Sequence, residues 1–150
     1  PQIIRVPGVT AAGSVCDVPV TSTDFYPTLL ELLGLALPNA EPRDGVSFAG
    51  LLGGGPAPAR EALFWHYPHY HGTWWRPGAA LRAGDWKLIE FYEDERVELY
   101  NLRDDLGERR DLSAAMPEKT QELRAMLHAW QRRVGAQRPV PNPAYVDADA

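Results

Sequence analysis

Apolar residues along this chain fall into two kinds of spacing. Near the C-terminus Leu123, Met126, Leu127, Trp130 and Val134 recur at i, i+3, i+4, i+7 and i+11, and Gly135 follows them. That period places them on one stripe of a helix, and Pro117 suits a first helical position, so the pattern predicts an amphipathic helix over 117–134. Its apolar face is expected to pack across a sheet. Upstream, residues 62–66, 79–82, 86–92 and 97–100 read as four strands, the last three separated by Ala83-Gly84-Asp85 and Glu93-Asp94-Glu95-Arg96. Turns this short imply an antiparallel meander. In the third strand Trp86, Leu88 and Tyr92 share one face with Glu90, whereas Lys87, Ile89 and Phe91 share the other. Both faces carry apolar weight, so both are expected to be partly covered.

The first third of the chain reads differently. Residues 2–6 are β-branched and stop at Pro7-Gly8, which predicts a strand and a turn. A lone strand is not stable, so its partners are expected elsewhere in the chain or in a part upstream of it. Thr21, Ser22, Thr23 and Asp24 supply capping oxygens ahead of Leu29, Leu30, Leu32 and Leu33, and Gly34 ends the run. A helix over 22–33 follows, with Pro27 in its first turn. A Pro- and Gly-rich connector occupies 38–59, with a helical turn or two over 47–52. The expected divisions are 1–59, 60–136, and an extended tail over 137–150.

Composition bounds what such a chain does. With 45% hydrophobic and 23% charged residues in a chain of 150, it should fold around one main core. A net charge of -5 argues against nucleic acid as a partner, because no excess of Lys and Arg is available to displace counterions from phosphates. No run approaches the roughly 20 apolar residues of a membrane span. Cys16 is the single cysteine, so no internal disulfide forms and the compartment stays open, export or a periplasmic location included. The chain opens on an apolar run without an initiator Met, from which the beginning of a parent protein is expected to lie upstream.

Two stretches resemble the later part of the formylglycine-dependent sulfatases of the alkaline-phosphatase-like superfamily. The first is Val18-Pro19-Val20-Thr21-Ser22-Thr23-Asp24-Phe25-Tyr26-Pro27-Thr28-Leu29-Leu30-Glu31-Leu32-Leu33-Gly34 with Asp44-Gly45-Val46-Ser47. The second runs from Arg82-Ala83-Gly84-Asp85-Trp86-Lys87-Leu88-Ile89 through Glu98-Leu99-Tyr100-Asn101-Leu102 to Asp104, Glu108, Asp111 and Leu112. The opening Ile3-Ile4-Arg5-Val6-Pro7-Gly8 is similar to a strand that follows the family's catalytic segment. The resemblance implies an α+β fold: a small four-stranded antiparallel sheet packed by a C-terminal helix. A strand and helix that belong to the large α/β sheet of the parent enzyme precede it. Residues 1–59 are then a remnant of the α/β core and 60–136 the C-terminal subdomain.

The resemblance also implies hydrolysis of sulfate esters by the parent, with a formylglycine nucleophile and Ca²⁺, and an N-terminal catalytic domain of the same protein as partner. The formylglycine motif, Cys/Ser-x-Pro-Ser/Ala-Arg, does not occur here, and Cys16 lies in Val15-Cys16-Asp17-Val18-Pro19. No catalytic or metal-ligating residue is therefore expected in this chain. Asp104-Asp105 follow the Leu-Tyr-Asn-Leu turn and read as a solvated turn rather than a metal pair. Chemistry concentrates in His66-Tyr67-Pro68-His69-Tyr70-His71-Gly72-Thr73-Trp74-Trp75-Arg76-Pro77, between the first two strands of the subdomain. Its three imidazoles invite a transition metal, but the spacing matches no zinc signature. Aromatic faces with His and Arg suit a sugar or an aryl sulfate. His66, His69, His71 and Arg76 are thus the candidate substrate-binding residues, at the rim of a pocket that holds a sulfated small molecule or carbohydrate. A self-standing carbohydrate- or anion-binding module is the alternative.

Overall fold

The computed structural model describes residues 2–37, 44–72, 74–140 and 142–144. Part of the expected connector and the last residues of the expected tail lie outside the described residues. The chain divides into two compact units, Pro1–Arg60 and Glu61–Ala150.

In the first unit a 3-10 turn, Ser22–Asp24, runs into helix α1, Phe25–Leu32, and helix α2, Ala49–Leu52, comes later. Pro27 sits buried in the first turn of α1, where no intrahelical partner exists for the missing N–H. Asp24 is 1% exposed and organises the unit. Its carboxylate accepts from the backbone N–H of Thr21 at 2.8 Å and of Val46 at 2.9 Å, and it pairs with both terminal nitrogens of Arg60. Burial pushes this carboxyl up, but Arg60 and the two backbone N–H groups outweigh that and hold it below the usual carboxylate range. One turn on, the Thr28 hydroxyl donates to the Asp24 carbonyl at 2.6 Å and accepts from Phe48 N–H at 3.0 Å. Phe48 meets Phe25 edge-on at 5.4 Å. Gly45 lies so close to this turn that a Cβ there would come within 2.0 Å of the Thr23 carbonyl oxygen, which excludes any side chain. The two halves of the first resembling stretch are one interlocked object.

The strand expected over residues 2–6 does not form among the described residues. Extended chain becomes a strand only by bonding to a neighbour, and here Val6 spends its N–H and C=O locally on the Thr10 hydroxyl.

The second unit is an antiparallel meander of β1, Leu63–Tyr67, β2, Gly78–Ala83, β3, Trp86–Phe91, and β4, Val97–Asn101, in that order across the sheet. Leu81 opposes Leu88, which opposes Leu99. Helix α3, Pro117–Val134, covers the face that carries these leucines, with Leu123 and Leu127 buried against them. Each such leucine is worth roughly 1.5–3 kcal/mol when fully buried. Phe64 stacks on Trp130 with ring centres 4.9 Å apart and planes 7° from parallel. The opposite face carries Ala80, Ile89, Tyr100 and Leu102, with Trp75 and Phe91 packed on them. The alternation read from β3 is the one the sheet adopts. Along the outer side of β4, Leu99 N–H donates to the Asp111 carboxylate at 3.0 Å and Leu112 N–H donates to the Leu99 carbonyl at 2.8 Å.

Candidate functional site

The sheet presents one end at which the β1–β2 connection, the β3–β4 turn and the segment after α3 meet. His66 and Tyr67 complete β1, so the ring-rich loop starts from a strand rather than lying wholly outside it. The four candidates separate there. His66 is half-buried, with Nδ1 2.7 Å from the Tyr92 hydroxyl and Nε2 2.9 Å from the Gln137 carbonyl oxygen. Both ring nitrogens are thus committed to the protein.

His69 and His71 are exposed and both stand edge-on to Tyr67, at 5.6 Å and 6.3 Å between ring centres. His71 N–H also bonds to the Trp75 carbonyl at 3.1 Å, a one-rung bridge that pinches the loop. Arg76 is 55% exposed and leans toward Glu93 at 3.5 Å and Asp94 at 3.9 Å in the β3–β4 turn. The Tyr70 hydroxyl donates to Glu93 at 3.0 Å. Beside them Trp74 holds a φ of 64° and is 96% exposed. A bulky residue in the left-handed region is a genuine outlier, of the kind that accumulates at ligand clamps. The structure therefore brings His69 and His71 together on one ring, leaves Arg76 at the rim beside acidic partners, and takes His66 inward.

Beneath the loop lies a polar cluster that sequence reading missed. Glu90, 2% exposed, receives Arg124 at 2.9 Å, His128 at 2.8 Å and Arg138 at 3.3 Å. Burial pushes its carboxyl up, but Arg124, His128 and Arg138 more than reverse that and hold it below the usual range. Tyr92, two residues on, has its phenol pushed up to about 12, chiefly by burial, so it stays a hydroxyl donor. One signal was available: Glu90 falls on the helix-facing side of β3 beside Trp86 and Leu88, and a carboxylate there requires a cation from the covering helix. Arg124 and His128, four apart, share the face that supplies it.

On the sheet face away from α3, Trp65, Tyr67, Trp75, Arg82, Lys87 and Ile89 line an open trough of about 480 Å³. The Trp75 indole N–H is buried there without a partner among the described residues. Among the described residues no three His, Cys, Asp or Glu gather in a way that could hold a metal ion, and Cys16 is exposed.

A family model described as N-sulphoglucosamine sulphohydrolase, C-terminal, matches residues 1–136. The chain belongs to this sulfatase family. A sulfatase from Formosa agariphila is 37% identical over 145 residues, covering 87% of this chain and 26% of that protein. An N-acetylglucosamine-6-O-sulfatase from Bacteroides thetaiotaomicron is 32% identical over 142 residues, covering 89% of this chain and 25% of that protein. The solved structure of BT4656 in complex with its substrate D-glucosamine-2-N, 6-O-disulfate aligns over 91% of this chain and 29% of its own, with a TM-score of 0.75 and 30% identity. This sulfatase C-terminal region thus spans about a quarter of the length of the curated relatives it matches. The fold expected from the resemblance, a four-stranded antiparallel sheet with a C-terminal helix, is the fold observed. Sulfatases generally use formylglycine and Ca²⁺. The described residues fit neither, since Cys16 lies outside the formylglycine motif and no metal-ligating group assembles.

Proposed function

We propose that this chain is the C-terminal part of an enzyme that hydrolyses sulfate esters, and that its β1–β2 loop forms part of the substrate-pocket rim. The observation that carries this reading is the pair of exposed imidazoles on Tyr67, flanked by Trp74 and Arg76. Imidazole and guanidinium groups donate hydrogen bonds to sulfate oxygens, and indole and phenol faces stack on a sugar ring. A sulfated glucosamine is the substrate class that the names of the relatives favour. Formylglycine and Ca²⁺ would belong to an N-terminal catalytic domain of the same protein, of which residues 1–59 form the last part. His66 stays within the rim set as the anchor of the loop. Residues 60–136 form the subdomain and 137–150 its tail.

In the complete enzyme, His69→Ala, His71→Ala and Arg76→Ala are expected to raise KM for a sulfated glucosamine with kcat nearly kept. A hydrogen bond to a charged group is worth about 1.5–3 kcal/mol, which corresponds to about tenfold or more in binding. Steady-state kinetics on sulfated glucosamines, aryl sulfates and phosphate esters test the reading. Unchanged constants in all three variants would remove the rim role, and preference for a phosphate ester would remove the sulfatase assignment. The 150-residue chain alone is expected to turn over none of these. If it binds the sugar as tightly as the complete enzyme does, a self-standing binding module is the better description.

A further inference from the structure

Helix α3 ends at Gly135, whose φ of 64° reverses the backbone, and Ala136 N–H bonds back to the Gln131 carbonyl at 2.9 Å. This helix-ending turn sends the next two residues across the sheet end instead of away from it. Pro139 follows and favours an extended conformation at Arg138. From Arg138 a single hydrogen-bonded circuit runs through the site. Arg138 Nη2 donates to Gln131 Oε1 at 3.1 Å, Gln131 Nε2 donates to the Tyr92 oxygen at 2.7 Å, and the Tyr92 hydroxyl donates to His66 Nδ1 at 2.7 Å. His66 Nε2 closes the circuit on the Gln137 carbonyl at 2.9 Å.

Chemistry fixes both ends of this circuit. A guanidinium only donates and a carbonyl only accepts, so Gln131 turns its amide oxygen to Arg138 and His66 carries a proton on Nε2 toward Gln137, while its Nδ1 faces the Tyr92 hydroxyl. The circuit starts and finishes in adjacent residues of the tail, and its middle member, Gln131, is 6% exposed. Arg138 also lies over the Tyr92 ring at 4.9 Å, on Glu90 at 3.3 Å and 3.1 Å from His128 Nε2. β1 is a sheet-edge strand bonded to β2 on one side. Its last residue, Tyr67, is the ring on which His69 and His71 rest.

We propose that residues 136–138 form a positioning strap for the β1–β2 loop. Gln137 and Arg138, acting through Gln131 and Tyr92, hold the His66 ring in one orientation with a proton on Nε2 and so fix the root from which His69 and His71 project. His66 is an anchor rather than a contact of the substrate, and Arg138 is a positioning residue 62 positions beyond Arg76. The kinetic consequence rests on the rim reading above; the structural claim does not.

Two variants test it. Arg138→Met removes the head of the circuit, and Tyr92→Phe keeps the ring under Arg138 but removes the hydroxyl link. In the 150-residue chain labelled with ¹⁵N-histidine, long-range ¹H–¹⁵N spectra are expected to show His66 as the Nε2–H tautomer alone, and as a mixture of both tautomers in each variant. In the complete enzyme each variant is expected to raise KM by about two- to tenfold with kcat kept within about twofold. A single Nε2–H tautomer that survives in both variants overturns the proposal, as does an unmoved KM in the strap variants where His69→Ala and His71→Ala raise it. If Arg138→Met does not fold, Tyr92→Phe decides. Failure of the rim reading shows separately, as unchanged KM in His69→Ala and His71→Ala while the strap variants still mix the His66 tautomers.

Discussion

Asp24 and Glu90 are both buried carboxylates, 1% and 2% exposed, and the two halves of the chain satisfy them in opposite ways. Asp24 is held by two backbone N–H groups and one arginine, whose side chain is 13% exposed. Glu90 is held by side chains, from Arg124, His128 and Arg138, which are 38%, 29% and 48% exposed. Backbone donors cannot be mutated away and tolerate no substitute geometry, so the Asp24 site is rigid and depends on a single cation. Three half-exposed side chains back one another up, so the Glu90 site is redundant. The first arrangement fixes a turn, and the second fastens a sheet, a helix and a tail while leaving each cation partly in water.

The contrast sets an order of expected effects. Ending the chain before Pro117 removes all three Glu90 cations together with Leu123 and Leu127, and the second unit is expected to lose cooperative melting. A truncated chain that keeps the sheet's circular-dichroism signal and melts cooperatively would show that α3 is dispensable. Next, Arg60→Met is expected to cost about 3–5 kcal/mol, because it leaves Asp24 charged, buried and without its cation. Arg124→Met is expected to cost only about 1 kcal/mol, since two cations remain and the lost one is more than a third exposed. Equal costs in denaturant melts would erase the distinction between the two sites.

Acid should reveal what they share. Each carboxyl is held below its ordinary value, 3.8 for Asp24 and 4.5 for Glu90, so the unfolded chain binds more protons as pH falls past those values. The stability each contributes is therefore complete above its ordinary value and lost as pH falls through the lower folded one. Melting temperature against pH should fall less steeply below about 4 in Asp24→Asn and in Glu90→Gln than in the parent chain. Identical slopes would place the acid sensitivity elsewhere. The smallest effect belongs to Arg76, whose pairs with Glu93 and Asp94 are exposed. Arg76→Ala is expected to change stability by less than about 1 kcal/mol while still raising KM, which separates a rim residue from a structural one.

Sequence reading reached the elements whose cause is local. Helix α3 forms over the residues its stripe and Pro117 mark, and each of the four strands falls within a residue or so of the alternation that announced it. The Asp24 turn was visible as a motif because partners in the backbone require a fixed run of residues around Gly45. The Glu90 cluster was not, since its partners lie 34 to 48 residues away and no spacing rule joins them. His66 illustrates the same limit. A histidine at the mouth of an aromatic loop reads as a ligand-facing group, and only the return of the tail, 71 residues on, shows that both of its nitrogens are occupied. The strand over residues 2–6 went unformed for the complementary reason, because a strand is a property of a pair.

The outer side of β4 carries one more consequence. A meander of this kind can polymerise by recruiting another molecule's strand to a free rim, and the Asp111 carboxylate with Leu112 N–H occupies the Leu99 groups where recruitment at β4 would begin. Burial pushes the Asp111 carboxyl up, and the N–H groups of Leu99 and Ser113 hold it below the usual range, so the plug stays charged well into mild acid. The Leu99 rung of β4 is thereby already paired within the subdomain, and Asp111→Ala would release its N–H while the Leu112 N–H keeps its carbonyl.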